Sequence, residues 1–183
     1  MSSLSKQIRR VWGLNLLFGI LTSGCGSAPT PWTVSRECEY PDEDTVGQMI
    51  WRSKASGSRV HGQFGTTPDA PWPAKSGYVK YNNVNIPQTD RLYLKLRYSK
   101  YSPSSVPILI YVDDEPTPRA TLYPIDQGSW NRFVWTEPIL LGSVGSGVHC
   151  IKFSTDGQQY GVADLDTLVL TTHRGGVNDE TEE

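Results

Sequence analysis

The chain has 183 residues, and its 17 basic and 19 acidic side chains give a formal charge of -2. That is long enough for one domain with a two-layer core and, once the ends are set aside, short for two. The charge balance leaves no basic field for a nucleic-acid partner and no strong acidity of the kind that keeps a chain unfolded.

From the N-terminus, a basic stretch (Lys6, Arg9, Arg10) leads into an apolar run from Val11 to Leu21 and then to the small residues Thr22, Ser23 and Gly24 before Cys25. This is the layout of a secretory signal. As a helix the apolar run would rise only ~16 Å, about half of a bilayer core, which argues against a permanent span. Small residues directly before a cysteine resemble the bacterial lipobox, in which the cysteine is acylated and becomes the mature N-terminus. Residues 1–25 are therefore expected to be a lipoprotein signal with Cys25 as the lipidation site, although Leu21 lies one position further from the cysteine than is usual. The alternative is an ordinary secretory signal that releases a soluble protein. Gly26, where an inner-membrane retention signal often has Asp, favours the outer membrane in a Gram-negative envelope.

Residues 26–36, rich in Gly, Ser, Ala, Pro and Thr, read as a tether that includes Trp32. From residue 37 to residue 174 no helical period is sustained, and short alternating runs are bounded by Gly, Pro, Asn and Asp. Leu92, Leu94, Leu96 and Tyr98 alternate with Arg91, Tyr93, Lys95 and Arg97, so this strand is expected to turn one face to a core and the other to water. Ile108 to Val112 is a more apolar strand, and the turn residues Asp113 to Pro116 lead back into Arg119 to Tyr123. Arg132 to Leu141, Val148 to Ser154 and Leu165 to Thr171 complete eight or nine strands. With no helix to cover a sheet, two antiparallel sheets must cover each other, so the fold class is all-β, a jelly-roll sandwich. Residues 175–183 are acidic with little to bury and read as a disordered tail.

Several segments, in order, resemble carbohydrate-binding modules of families six and thirty-five. Glu37, Cys38 and Glu39 resemble the families' opening Glu-Ala-Glu, and residues 55–62 (ASGSRVHG) their Ala-Ser-Gly-Gly-Lys-Tyr-Val-Gly stretch. Residues 77–87 (GYVKYNNVNIP) and 92–99 (LYLKLRYS) resemble the strand pair that follows. Gly128, Ser129 and Trp130 resemble a Gly-Ser-Trp turn, Gly147 to Phe153 a Gly-x-His-x-Ile-x-Leu strand, and Asp164 to Leu168 the closing Asn-Ile-Asp-x-Ile.

The resemblance implies a jelly-roll fold, a structural calcium ion and a sugar site. For Ca2+, a hard cation that takes oxygen ligands, it implies Glu39 and Asp166, with Glu37 and a carbonyl near Arg59 as further candidates. In a strand Glu37 and Glu39 would share one face and Cys38 the other. For sugar it implies Trp130 as a stacking platform and Asp164 in place of an Asn that bonds hydroxyls, both in loops at one end of the sandwich. Tyr160, just before Asp164, is a candidate second wall, and Trp72, in a Pro-flanked loop, a third. An Asp in place of Asn favours a hydroxyl-rich or cationic sugar over an anionic one. Trp51 and Trp135 fall within strands and are expected to pack. An oxidising envelope would permit a disulfide between Cys38 and Cys150, although alternation does not place them face to face.

His61, His149 and His173 are isolated in sequence, and nothing resembles a nucleophile elbow or a transition-metal spacing. Asp164 and Asp166 stand too close on one strand to flank a glycosidic bond from opposite sides. The sequence therefore points to a non-catalytic, membrane-anchored lipoprotein that binds polysaccharide or envelope glycan. The alternative is a structural or adhesive lipoprotein whose sandwich binds another protein.

Overall fold

A computed structural model of the protein describes residues 31–65, 75–157 and 161–175. Twelve strands and one 3-10 turn, Ser56–Ser58, account for its regular structure. The first sheet holds β1 (Thr33–Glu37), β3 (Gln48–Trp51), β4 (Arg59–Phe64), β6 (Thr89–Lys100), β9 (Ser129–Trp135), β10 (Ile139–Val144) and β12 (Ala163–Thr171). Its order runs β10-β6-β12-β4-β3, with β9 also on β6 and β1 also on β12. The second sheet has the order β2-β5-β11-β7-β8, from β2 (Glu43–Asp44), β5 (Gly77–Ile86), β11 (Gly147–Thr155), β7 (Ile108–Val112) and β8 (Ala120–Leu122). Neighbours pair antiparallel throughout, so the expected sandwich of two antiparallel sheets is what forms.

The alternation read in the sequence selects the core. Leu92, Leu94, Leu96 and Tyr98 of β6 and Leu165, Leu168 and Leu170 of β12 meet Val79, Tyr81, Ile110, Ile151 and Phe153 of the second sheet. Tyr81 and Phe153 make an edge-on ring contact, with centroids 5.9 Å apart. The segment from Arg132 to Leu141, expected as one strand, is two: Thr136, Glu137 and Pro138 separate β9 from β10, and a proline has no N–H for a ladder.

The outer face of β6 corrects the sequence reading. Tyr93, Lys95 and Arg97 do not meet water: Lys95 is 6% exposed and Arg97 7%. The Lys95 ammonium lies 5.5 Å from the centre of the Trp135 ring and the Arg97 guanidinium 5.2 Å from that of Phe133. Aromatic rings of the neighbouring β9 thus shield both charges and attract them.

The strand directions give the sandwich two poles. Thr33 pairs with Thr171, and Trp32 exchanges backbone and side-chain hydrogen bonds with Thr172, so both ends of the described chain leave at one pole. Asp164 lies seven positions back along β12, roughly 20 Å away at the usual rise of a strand.

Candidate functional site

Strands, not loops, hold the two leading candidates: Trp130 is the second residue of β9 and Asp164 the second of β12. Both belong to the outer layer of the first sheet at the pole away from Thr33. Ser99 of β6 stands between them, paired with Asp164 and donating its hydroxyl to the Trp130 carbonyl at 2.8 Å.

Asp164 has no exposed surface. Its Oδ1 accepts the Gln63 N–H at 2.7 Å and its Oδ2 accepts Arg52 Nε at 2.6 Å. Burial raises its pKa above the usual carboxylate value, and the Arg52 charge and the Gln63 N–H offset part of that rise. Bonding of ligand hydroxyls, the role implied for residue 164 by resemblance, is thereby corrected: both oxygens face inward and are already engaged.

The group that reaches the surface instead is Arg52, just beyond the end of β3. Its guanidinium carbon lies 5.6 Å from the centre of the half-buried Trp130 ring, and its side chain is 21% exposed. On another side of the ring, a Cβ built at Gly161 would lie 3.6 Å from Trp130 Cη2. Trp130 is therefore seated, half-buried, between a cation and the segment that leads into β12. Nothing local in the sequence marks Arg52, because its partner is 112 positions away. Tyr160 and Trp72, the further aromatic candidates, lie outside the described residues.

The other tryptophans divide. Trp135 is half-buried and packs on Lys95, as expected of a strand residue. Trp51 does not pack: it is 68% exposed, because β3 is the last strand of its sheet and only its neighbour β4 covers it.

The proposed calcium ligands cluster beside the turn at Ser56–Ser58. β1 ends at Glu37, so the shared strand face expected for Glu37 and Glu39 is not formed: Cys38 and Glu39 belong to a turn. Glu37 is exposed and accepts hydroxyl hydrogen bonds from Ser56 at 2.9 Å and Thr167 at 3.3 Å. Glu39 is buried and its Oε2 has no hydrogen-bond partner among the described residues. Burial raises the pKa of Glu39, and the charges of Glu37 and Asp166 add to the rise. Asp166 is committed elsewhere: its Oδ2 takes Arg97 Nη1 at 2.5 Å and its Oδ1 the Ser56 N–H at 2.9 Å. Arg59 turns its side chain to the Tyr40 hydroxyl. Among the described residues, no three His, Cys, Asp or Glu side chains converge where they could hold a metal ion.

The disulfide read as permissible is absent. Cys38 and Cys150 are both free and buried. Cys38 lies in the core, where its carbonyl accepts the Tyr81 hydroxyl. Cys150 interacts with Lys80, Asp114, Asp113 and Lys152, on the side of the second sheet that carries its ion pairs. The sheet lies between the two thiols.

The sequence matches no family model and no curated protein. Solved structures do match the fold. The C-terminal family 6 carbohydrate-binding module of a marine laminarinase from Zobellia galactanivorans aligns over 76% of this chain and 98% of its own, at a TM-score of 0.58 and 13% identity. The fold is that of carbohydrate-binding modules of families 6 and 35. A family 35 module from an environmental isolate aligns over 76% of this chain and 91% of its own, with a TM-score of 0.57 and 12% identity. An exo-β-1,3-galactanase from Phanerochaete chrysosporium, solved with galactose, reaches a TM-score of 0.60 at 22% identity. Its match covers 76% of this chain but only 29% of the galactanase.

Proposed function

We propose that the protein is a non-catalytic carbohydrate-binding lipoprotein of the bacterial cell envelope, anchored through Cys25. The observation that carries this reading is Trp130: a half-buried tryptophan on a module-type sandwich, beside an arginine whose side chain is 21% exposed. A sugar ring offers an apolar C–H face to such a platform and hydroxyls to its rim. The position of the ends supports the anchoring. Residues 33–36, read in the sequence as tether, are part of strand β1, and Trp32 packs on the core, so a tether shortened to end before Trp32 would hold the domain by the pole opposite Trp130 and turn the site away from the bilayer.

Calcium belongs to the same proposal as a structural ion. Its ligands would be Glu39, whose Oε2 is buried without a partner, the neighbouring Glu37 and a backbone carbonyl near Arg59. Asp166 is left out of this set because Arg97 and Ser56 occupy its oxygens. A bound cation would neutralise carboxylates that now repel one another.

A glycan-binding screen of the purified protein, with Trp130→Ala beside it, tests the proposal. Binding that disappears in the variant supports it. Absence of binding to every glycan, by a protein shown to be folded, moves the reading to the protein-binding lipoprotein.

A further inference from the structure

A strand paired on one side only exposes a row of backbone N–H and C=O groups, and folded proteins guard such edges with charge, proline, bulges or brevity. Among the described residues β1, β2, β3, β8, β9 and β10 are of this kind, and all but β3 are guarded. Arg119 donates to the Leu141 and Ser143 carbonyls of β10, whose register is broken at Gly142. β2 is two acidic residues, and β8 is three residues set between Pro118 and Pro124. β1 carries Arg36 and Glu37, and β9 carries Arg132. β3, with the sequence Gln-Met-Ile-Trp, has no charge, proline or register shift. Its Met49 is 52% exposed and its Trp51 68%.

The phase of the ladder fixes which groups of β3 are free. The Arg52 N–H donates to the Ser58 carbonyl at 3.1 Å, across from β3. Hydrogen-bonded pairs alternate along an antiparallel ladder, so Ile50 and Gln48 also turn their N–H and C=O groups towards β4, and Met49 and Trp51 point theirs out of the sheet. Two outward residues about one inward residue make a self-complementary edge. We propose that β3 is the surface through which the protein pairs with a second copy of itself, antiparallel, on a two-fold axis at Ile50. Met49 then stands opposite Trp51 of the second copy, and the two exchange both N–H···O bonds on each side of the axis.

Side chains and charge select this occupant and this direction. Met49 and Trp51 share one face of β3, so in this register each methionine lies cross-strand beside the indole of the other copy, a favourable sulfur–aromatic contact. Glu43 and Asp44 precede β3 and Lys54 follows it, all exposed. An antiparallel pair sets the acidic end of each strand beside the basic end of the other, whereas a parallel pair would set like charge beside like. β3 runs in the same direction as β12, so the Thr33 poles of the two copies point opposite ways, and copies tethered to one surface pair lying flat on it. A contact built on four residues a side is far smaller than the ~800 Å² per partner of a standard interface, so the pairing is weak and concentration-dependent.

Sedimentation of the full chain in detergent, over a range of concentrations, tests the pairing, and the result does not depend on whether the Trp130 site takes sugar. The expected result is a reversible dimer that Met49→Pro and Trp51→Lys each weaken by about tenfold or more. Met49→Pro removes an N–H that the chain's own ladder does not use, so the variant should keep the fold, as circular dichroism would show. Cross-linking by mild oxidation reads the register. Ile50→Cys should link to its own copy, because opposed residues of a non-hydrogen-bonded pair have Cα atoms ~4.5 Å apart. Met49→Cys should not, although Met49 is the more exposed, because its own counterpart lies beyond the ~7 Å that a disulfide spans. A chain that stays monomeric at every concentration, a dimer indifferent to both edge variants, or stronger linking at residue 49 than at residue 50 overturns the proposal. A monomeric chain that takes up an extended peptide through β3 also overturns it, by replacing the second copy as the occupant.

Discussion

Arg97 and Asp166 meet at 2.5 Å in a place where the Arg97 side chain is 9% exposed and that of Asp166 not at all, and the second carboxylate oxygen holds the Ser56 N–H. One buried pair thus ties β6, β12 and the 3-10 turn together. Removing Asp166 takes a charged partner away from a buried guanidinium that keeps the Lys54 carbonyl and the Phe133 ring. Asp166→Ala removes charge-assisted hydrogen bonds to Arg97 and the Ser56 N–H and is expected to cost about 1.5–3 kcal/mol. Urea unfolding measures it, and a loss below 1 kcal/mol would show that water reaches Arg97.

The same pair makes stability depend on pH. Burial raises the Asp166 pKa to about 6, against the lowering effect of Arg97. A carboxyl with a raised folded-state pKa binds its proton more tightly folded than unfolded. Its contribution is therefore complete below the unfolded value near 4 and lost as pH rises through about 6. His61 works in the opposite sense. Burial lowers its pKa, so its contribution is present above about 6.5 and lost as pH falls. Comparing the wild type with Asp166→Asn cancels the histidine. The wild type should gain up to about 3 kcal/mol relative to the variant between pH 7 and pH 4. Denaturant curves at several pH values supply the difference, and parallel curves would contradict it.

The inner face of the fold was legible in the sequence, and its outer face was not. Leu92, Leu94, Leu96 and Tyr98 enter the core as their alternation indicates, since a period of two is a local property of a strand. What covers Lys95 and Arg97 is not local: Trp135, Phe133 and Asp166 come from strands brought alongside by the topology. The site divides in the same way. Trp130 could be read from its own segment, whereas the burial of Asp164 follows from Arg52 and Gln63, both more than 100 positions away. For Cys38 the strand alternation was carried one turn too far, past the end of β1.

Free thiols at Cys38 and Cys150 predict indifference to redox conditions. Both side chains are buried, and burial raises both thiol pKa values, which keeps them protonated and slow to react. A chain acylated at Cys25 should show no reactive thiol when native and two after unfolding, with the same melting temperature with and without reductant. Ellman titration counts them, and a reductant-sensitive melt would point to a bond between them.

Calcium should raise the melting temperature through Glu39. With the ion at a hundredfold excess over its dissociation constant, the gain is about 2.7 kcal/mol. Glu39→Gln should abolish that response. Without calcium the same variant should be neutral or stabilising, because it replaces a buried carboxylate that has one unpartnered oxygen and a pKa raised by burial. Scanning calorimetry with calcium and with chelator separates the two conditions, and identical curves for the wild type in both would remove the ion from the proposal.

Anchoring gives the last prediction. In bacterial cells labelled with palmitate, the chain should carry label, and Cys25→Ser should carry none and leave the membrane fraction. Two acyl chains hold a protein at a bilayer far more firmly than one does, so the loss should be nearly complete. The variant should bind glycan as the parent does, because β1 and β12 fix the tether at the pole opposite Trp130. Glycan pull-down of labelled and unlabelled chains tests both halves: loss of label with intact binding supports the arrangement, and binding that falls together with the label would place the site at the membrane.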